Sequence, residues 1–304
     1  MCQFCDSCAS NTNNKTTIYG TDGADLLVGG SLTDYIFGKA GDDSLSGHGG
    51  DDLIFGREGN DIILGGEGND YLVGDSFFTN ENATSNDTIR GGVGDDEIVG
   101  GVGKDSLYGG NGNDQIFGGE DEDRLFAGQG ADYLDGDEGN DRLFGNGGND
   151  TLWGGNGTIS GEDRDTLVGG DGNDSLIGGI DNDILNGGAG NDRFAFLESK
   201  TFADANFGVD RIQDFGNGDD QIVLDKRAFV GITGSNNSPL DSSQFAVVAD
   251  NAAAANATEL IVYNSTTGSV YYNENGSDSG FGDGGQFAVL NSQPELVAAD
   301  FAVV

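Results

Sequence analysis

An aspartate returns every nine residues through most of this chain, and an apolar residue follows two positions after each one. Written in nines from Gly20 to Ala195, the sequence divides into eighteen consecutive units, two of them lengthened by insertions. The sixth position holds Asp25, Asp34, Asp43, Asp52, Asp61, Asp70, Asp87, Asp96, Asp105, Asp114, Asp123, Asp132, Asp141, Asp150, Asp165, Asp174, Asp183 and Asp192, without exception. The eighth is aliphatic from Leu27 to Leu185 and becomes Phe194 in the last unit, while the first is Gly everywhere except Ala127. Composition alone would scatter these residue types over all nine positions. A unit this short cannot bury a core by itself, so the repeat demands stacking.

The Gly-rich half of each unit suits a sharp turn, because Gly tolerates positive φ. The other half suits a three-residue strand with its middle side chain turned inward. Two units then close one coil of eighteen residues, and nine coils stacked about 4.8 Å apart make a roll roughly 40 Å long. Unit n lies over unit n+2. Asp114 therefore shares an edge with Asp96 and Asp132, and Asp123 lies on the opposite edge with Asp105 and Asp141. Each edge offers carboxylates and turn carbonyls, which suits calcium, a hard cation taking six to eight oxygens, better than the stricter octahedron of magnesium.

The segments GGEGNDYLV (65–73), GGDGNDSLI (169–177) and GGAGNDRFA (187–195) match every fixed position of G-G-x-G-x-D-x-U-x. On these residues the sequence resembles the RTX (repeats-in-toxin) calcium-binding nonapeptide. The resemblance implies an all-β fold, a right-handed parallel β-roll (β-solenoid) of about nine coils with a C-terminal β-rich cap. It also implies that the eighteen position-six aspartates are the side-chain metal ligands and that the turns add carbonyls. Sharing of each ion between units n and n+2 allows at most sixteen sites in the eighteen units. Breaks in the pattern bring the expectation to roughly a dozen Ca2+. The inward column is one residue wide, too thin to hold eighteen Gly-rich turns unaided, so calcium must supply the difference and folding must follow its concentration. The roll is expected to be largely unfolded at cytosolic calcium and folded at millimolar calcium.

The division expected is a tail at 1–19, the roll at 20–195, and a cap with an export signal at 196–304. The tail holds Cys2, Cys5 and Cys8, an odd number that cannot form a fully paired set; it reads as weakly ordered, with soft-metal binding or intermolecular disulfides as the other readings. The insertions lengthen units 7 (74–90) and 15 (154–168), both odd, so both loops should leave the same edge. They read as tolerated surface insertions or as a partner site. Leu32, Asp121 and Asp181 replace the fourth-position Gly, and Asp75 and Asp137 the second. These carboxylates either add ligands or distort the turn, and weaker sites are expected beside Asp121 and Ala127. Ninth positions of even units, from Phe37 and Phe55 through Phe117 and Trp153 to Ala195, line up as an apolar column, either a partner surface or half-covered strand ends.

Past Ala195, DRIQDF and DQIVLD alternate as strands do, and 259–273 reads as a hairpin about Thr267–Gly268, followed by the strand GQFAVL. The stretch 193–229 looks like the segment that closes the β-roll in serralysin-type secreted proteins, and a cap of this kind hides an otherwise unpaired strand edge. The ending AADFAVV resembles the uncleaved signal of type I secretion substrates, or else is an ordinary last strand. The resemblance implies a type I ABC exporter in transit and a secreted or cell-surface location in a bacterium.

Charge and motifs bound the function. Thirteen Lys and Arg against 53 Asp and Glu leave −40, which argues against nucleic acid as a partner. No run of eighteen apolar residues is present for a transmembrane segment, and the N-terminus lacks the apolar core of a secretory signal. His48 is the sole histidine and reads as a turn substitution; neither H-E-x-x-H nor G-x-S-x-G occurs. No two acids outside the repeat stand out as a glycosidase pair. No long apolar helical stretch suggests a pore, and Thr at position seven only in Thr88, Thr151 and Thr166 argues against an ice-binding ladder. The reading is a secreted calcium-binding protein and not an enzyme, with a structural or surface-binding role toward a cell-surface or glycan partner. The alternative is an accessory calcium-dependent module of a secreted enzyme or polysaccharide-modifying system encoded on a separate chain.

Overall fold

The computed structural model describes residues 15–75, 85–155, 163–197, 208–216, 218–275, 280–282 and 284–304. The cysteine tail and most of both insertions, 76–84 and 156–162, lie outside the described residues.

Strands alternate between two sheets of 13 and 14 strands. Each repeat strand pairs in parallel with the strand two units on: Leu107 lies beside Ile89 and Leu125, and Ile116 beside Ile98 and Leu134. The coil is thus the expected eighteen residues. Both insertions fall where the chain leaves the 13-stranded sheet for the other, after Tyr71–Val73 and after Thr151–Gly155. They therefore leave the same edge.

The strands are longer than three residues. Ser106–Asn111 and Arg124–Gln129 each have six, running from x-U-x into the first three positions of the next unit. Identical turns stacked at one spacing can bond to one another, so the ladder continues through Gly110↔Gly128 and Asn111↔Gln129, and the Gly112 N–H donates to Gln129 O at 2.9 Å. From the third unit on, second and fourth positions outside the two lengthened units are left-handed, as at Gly110 (φ +124°), where an added Cβ would stand 2.1 Å from the Gly92 carbonyl oxygen. His48 takes this second-position conformation at φ +76°, as a turn substitution must. Asp137, also second, and Asp121 and Asp181, both fourth, are left-handed too, at +70°, +78° and +69°, so these acids preserve the turn.

Inside, the eighth-position side chains from Ile36 to Phe194 form two facing columns at 0–1 % exposure. Outside, the ninth-position column on the 13-stranded sheet is half-covered by its own stacking, Phe37 on Phe55 at 5.5 Å and 3°. Asp135 interrupts it and accepts from the Tyr133 hydroxyl at 3.1 Å.

Parallel stacking continues beyond the last nonapeptide. Asp210–Ile212 pairs with Ile184–Ala189, and Gln221–Leu224 pairs with Arg193–Phe196. Gly285–Leu290 and Phe301–Val303 then cover those two strands, and the expected hairpin, Ile261–Asn264 with Ser269–Tyr272, completes one sheet. Phe287 meets Phe196 and Phe229 edge-on at 4.9 and 5.2 Å, so the thin aliphatic column ends against an aromatic core. Leu134→Ala, at a fully buried column site, is expected to cost about 2–5 kcal/mol. Urea denaturation of the calcium-loaded chain measures it.

Candidate metal centres along the edges of the roll

Because the eighth side chain must point inward, the sixth falls where the turn meets the strand, with its carboxyl folded back under the coil. Position-six aspartates from Asp34 to Asp192 are 1–3 % exposed, whereas Asp25, in the first unit, is half-buried. From Asp43 to Asp192 one oxygen keeps the same partner: Oδ1 accepts the main-chain N–H of the aspartate one coil earlier, and Asp34 Oδ1 accepts from Thr16 N–H in the same place. Asp96 N–H donates to Asp114 Oδ1 and Asp114 N–H to Asp132 Oδ1, both at 2.8 Å. On the opposite edge, Asp105 donates to Asp123 and Asp123 to Asp141 at 2.7 Å. The two rows are those expected from the n+2 stacking.

The other oxygen is different. In fifteen of these aspartates, Asp43, Asp52, Asp61, Asp70, Asp87, Asp96, Asp105, Asp114, Asp123, Asp132, Asp141, Asp150, Asp165, Asp174 and Asp183, Oδ2 is buried and has no hydrogen-bond partner. It faces the first-position Gly of its own unit and the matching carbonyl of the next coil. A Cβ on Gly118 would fall 2.5 Å from Asp123 Oδ2 and 2.7 Å from Gly136 O; on Gly109 it would fall 2.2 Å from Asp114 Oδ2 and 2.7 Å from Ala127 O. Glycine keeps open a small recess lined by oxygen. Ala127 is the exception, with a buried methyl in that position.

At the ends of the roll the oxygen is satisfied locally. Asp25 Oδ2 accepts from Thr21 N–H at 2.6 Å, Asp34 Oδ2 from Gly30 N–H at 2.6 Å, and Asp220 Oδ2 from Gly216 N–H at 2.7 Å. Asp210 and Asp220 were not expected as members of the rows. Asp183 N–H donates to Asp210 Oδ1 at 3.1 Å and Asp192 N–H to Asp220 Oδ1 at 2.9 Å. Their signal was the surviving D-x-U triplet in DRI and DQI, without the glycines. A second ladder outside the first also escaped the sequence reading: fifth-position side chains accept from the next coil, as Asp95 Oδ1 does from Asn113 N–H at 2.7 Å and Asn113 Oδ1 from Ala131 N–H at 2.8 Å.

Burial, reinforced by neighbouring carboxylates and opposed by the N–H bond to Oδ1, pushes the row upward in pKa. Asp87, Asp123, Asp141 and Asp165 rise to about 9, Asp52, Asp61 and Asp96 to about 7. Asp114 rises to about 6, mainly by burial. Asp183 and Asp210, adjacent in one row, are both held well up, chiefly by burial, with Asp210 repelling Asp183 and Asp165 repelling Asp210. Such oxygens are costly unless a cation or a proton meets them. Among the described residues no three His, Cys, Asp or Glu side chains converge on one point; the donors that the rows present are single carboxylates and main-chain oxygens. That set fits calcium and lacks the nitrogen and sulfur that zinc prefers.

Stacked Gly-rich turns, two rows of inward-folded carboxylates and open carbonyl recesses define a parallel β-roll of the calcium-binding class. The chain belongs to the RTX calcium-binding nonapeptide repeat family, whose pattern it matches at residues 13–45, 28–63, 46–77, 83–116, 99–134, 108–143, 126–158 and 159–194. Comparison with curated proteins gave no match. Among the described residues no helix is long and apolar enough to cross a membrane.

Folded-state pKa values of about 6 to 9 lie above the unfolded value of about 3.9, so protonation favours the fold. The contribution is fully present below about pH 4 and lost as pH rises through roughly 6 to 9. With calcium chelated, β content should therefore increase on acidification. With calcium present, protons compete for the same oxygens, and the calcium midpoint of folding should rise as pH falls from about 8 to 6. Far-UV circular dichroism over pH and calcium checks both signs.

Proposed function

We propose that this chain works outside a bacterial cell as a calcium-folded binding or structural protein, without catalysis of its own. The observation that carries the reading is the set of fifteen buried Oδ2 atoms facing stacked carbonyls. Each position-six carboxylate holds its neighbour's main chain through Oδ1 and gives Oδ2 to an ion shared with the adjacent level. On this reading the eighteen repeat aspartates form two ligand rows holding roughly a dozen Ca2+. Asp25 and Asp34, already bonded through Oδ2, contribute least, and the rows extend toward Asp210. Calcium supplies positive charge where a chain of net charge −40 repels itself most.

Export by a type I ABC exporter agrees with this coupling. Phe301 and Val303 are fully buried in the cap, so the last segment is readable only before folding. Low cytosolic calcium keeps the chain unfolded until it leaves. The non-catalytic assignment rests on the residues: His48, the sole histidine, stands exposed in a repeat turn, and the buried carboxylates serve the rows.

A surface-binding role draws support from the outer face of the 14-stranded sheet. Tyr108, Phe126 and Phe144 stack at 5.0 and 4.9 Å, and the Arg90 guanidinium lies 4.9 Å from the Tyr108 ring centre. Beside them Lys104, Arg124, Arg142 and Arg164 line one groove together with Asp105, Glu122, Asp123 and Asp141; Lys104 pairs with Glu122 at 2.7 Å, and the three arginines are its exposed cations. Cations beside aromatic rings suit an acidic glycan of the cell surface.

Removing calcium with EDTA should abolish the β spectrum, and excess calcium should restore it where equal magnesium does not; identical spectra would sink the reading. Asp114→Asn, which keeps the Oδ1 acceptor but removes the charge, should lose about one or two ions per chain by calorimetric titration. Replacing Arg124 and Arg142 together by Glu should abolish retention on immobilised acidic polysaccharide while leaving calcium stoichiometry unchanged.

A further inference from the structure

The two edges of the roll are not equivalent. From unit 6 to unit 18, second and fourth positions on the even edge are glycine, apart from Asn146. On the odd edge the same positions carry Asp75, Asp121, Asp137, Asp163 and Asp181. Asp75 and Asp163 stand apart from the other three: each borders an insertion, and they are only 4 % and 3 % exposed. One neighbouring level carries glycine in each case, Gly101 beside Asp75 and Gly139 beside Asp163, so the stacked turns do not require an acid at either place.

Asp75 lies within electrostatic reach of Asp61, Asp87 and Asp105, three successive members of the odd row. Its carboxylate is bonded by Ser85, on the far side of the insertion, yet its Oδ2 is buried without a hydrogen-bond partner. Both ends of the insertion are tied to the next coil, Asp75 N–H to Gly100 O at 2.8 Å and Ser85 N–H to Val102 O at 3.1 Å. Asp163 is placed similarly, close to Asp141, Asp165 and Asp183, with Oδ1 accepting Gly139 N–H at 3.3 Å. No three acids converge at either point among the described residues, so the arrangement is one extra carboxylate beside a row carboxylate, with carbonyls completing the shell.

We propose that Asp75 and Asp163 each build a reinforced calcium site on the odd edge, loaded at lower calcium than the rest of the roll and pinning the roots of the two insertions. The inference rests on the calcium reading above and adds ligands that the nonapeptide pattern does not contain. Calcium affinity rises with the number of charged ligands and the rigidity of the site. Here a second carboxylate is added inside a shell already fixed by two ladders. A loop whose ends meet at such a site stays anchored while weaker levels still exchange their ions.

The test is calcium titration of the full chain against a chromophoric chelator. The wild type is compared with Asp75→Gly, Asp163→Gly and the double substitution, which restore the residue used at sister levels, with Asp75→Asn and Asp163→Asn as isosteric versions. Asp171→Asn, an exposed acid on the other edge, is the control, and circular dichroism at saturating calcium establishes that each variant folds. The expected result is about two ions bound at least tenfold more tightly than the others in the wild type, one lost in each single variant and both in the double. The glycine variants discriminate directly. If the acids are only an electrostatic burden, Asp75→Gly and Asp163→Gly will fold at equal or lower calcium than the wild type, and the inference is overturned. It is also overturned if the wild type shows a single affinity class. A wild type that binds no calcium removes the functional reading itself, a separate outcome.

Discussion

Everything in the roll turns on one carboxylate whose two oxygens are treated unequally. Oδ1 bonds the main chain of the coil before it, as in Asp114 N–H to Asp132 Oδ1 at 2.8 Å, and so sets the register between levels. Oδ2 is left among carbonyls with nothing to bond it. The first bond makes stacking specific; the second oxygen makes it conditional. Without a cation the row accumulates like charges in low dielectric, and the raised pKa values of Asp123 and Asp141 report that cost. With one, the same crowding becomes a strong reason to fold.

The hydrophobic contribution is organised around that condition. Ile116 and Leu125 face each other from opposite sheets, fully buried, but each level holds only such a pair between two turns rich in glycine. The chain then changes strategy at the C-terminal end. Phe196, Phe229, Tyr272 and Phe287 make a wider core with antiparallel strands, needing no carboxylate rows of its own. The cap closes the final coil and supplies a conventionally packed unit on which the repeats abut.

Periodicity made much of this legible. A nine-residue interval with inward aliphatics allows few structures, and the n+2 rule placed Asp114 with Asp96 and Asp132 because strand stacking leaves no other arrangement. The hairpin at Gly268 was readable from local turn chemistry. Asp210 and Asp220 were harder to see, since they join the rows after the glycines have gone and long-range stacking alone brings them into line. The six-residue strands were hidden for a related reason: a Gly-rich segment has little strand propensity of its own and pairs only because an identical segment lies directly above it.

By itself the sequence determined the coil length, the inward column, the membership of each row through the nonapeptides and the oxygen chemistry on offer, because all four follow from spacing; Asp210 and Asp220 joined the rows only through the tertiary stacking. Tertiary structure decided which of those oxygens are satisfied. Asp25 and Asp34 find N–H donors in their own turns, Asp43 through Asp183 do not, and Asp75 is buried against a row it does not formally belong to. The physical reason is that the shape of each turn, and so whether its own N–H reaches the carboxylate, is set together with the coil stacked against it, eighteen to twenty-eight residues distant in the chain, which no local pattern records.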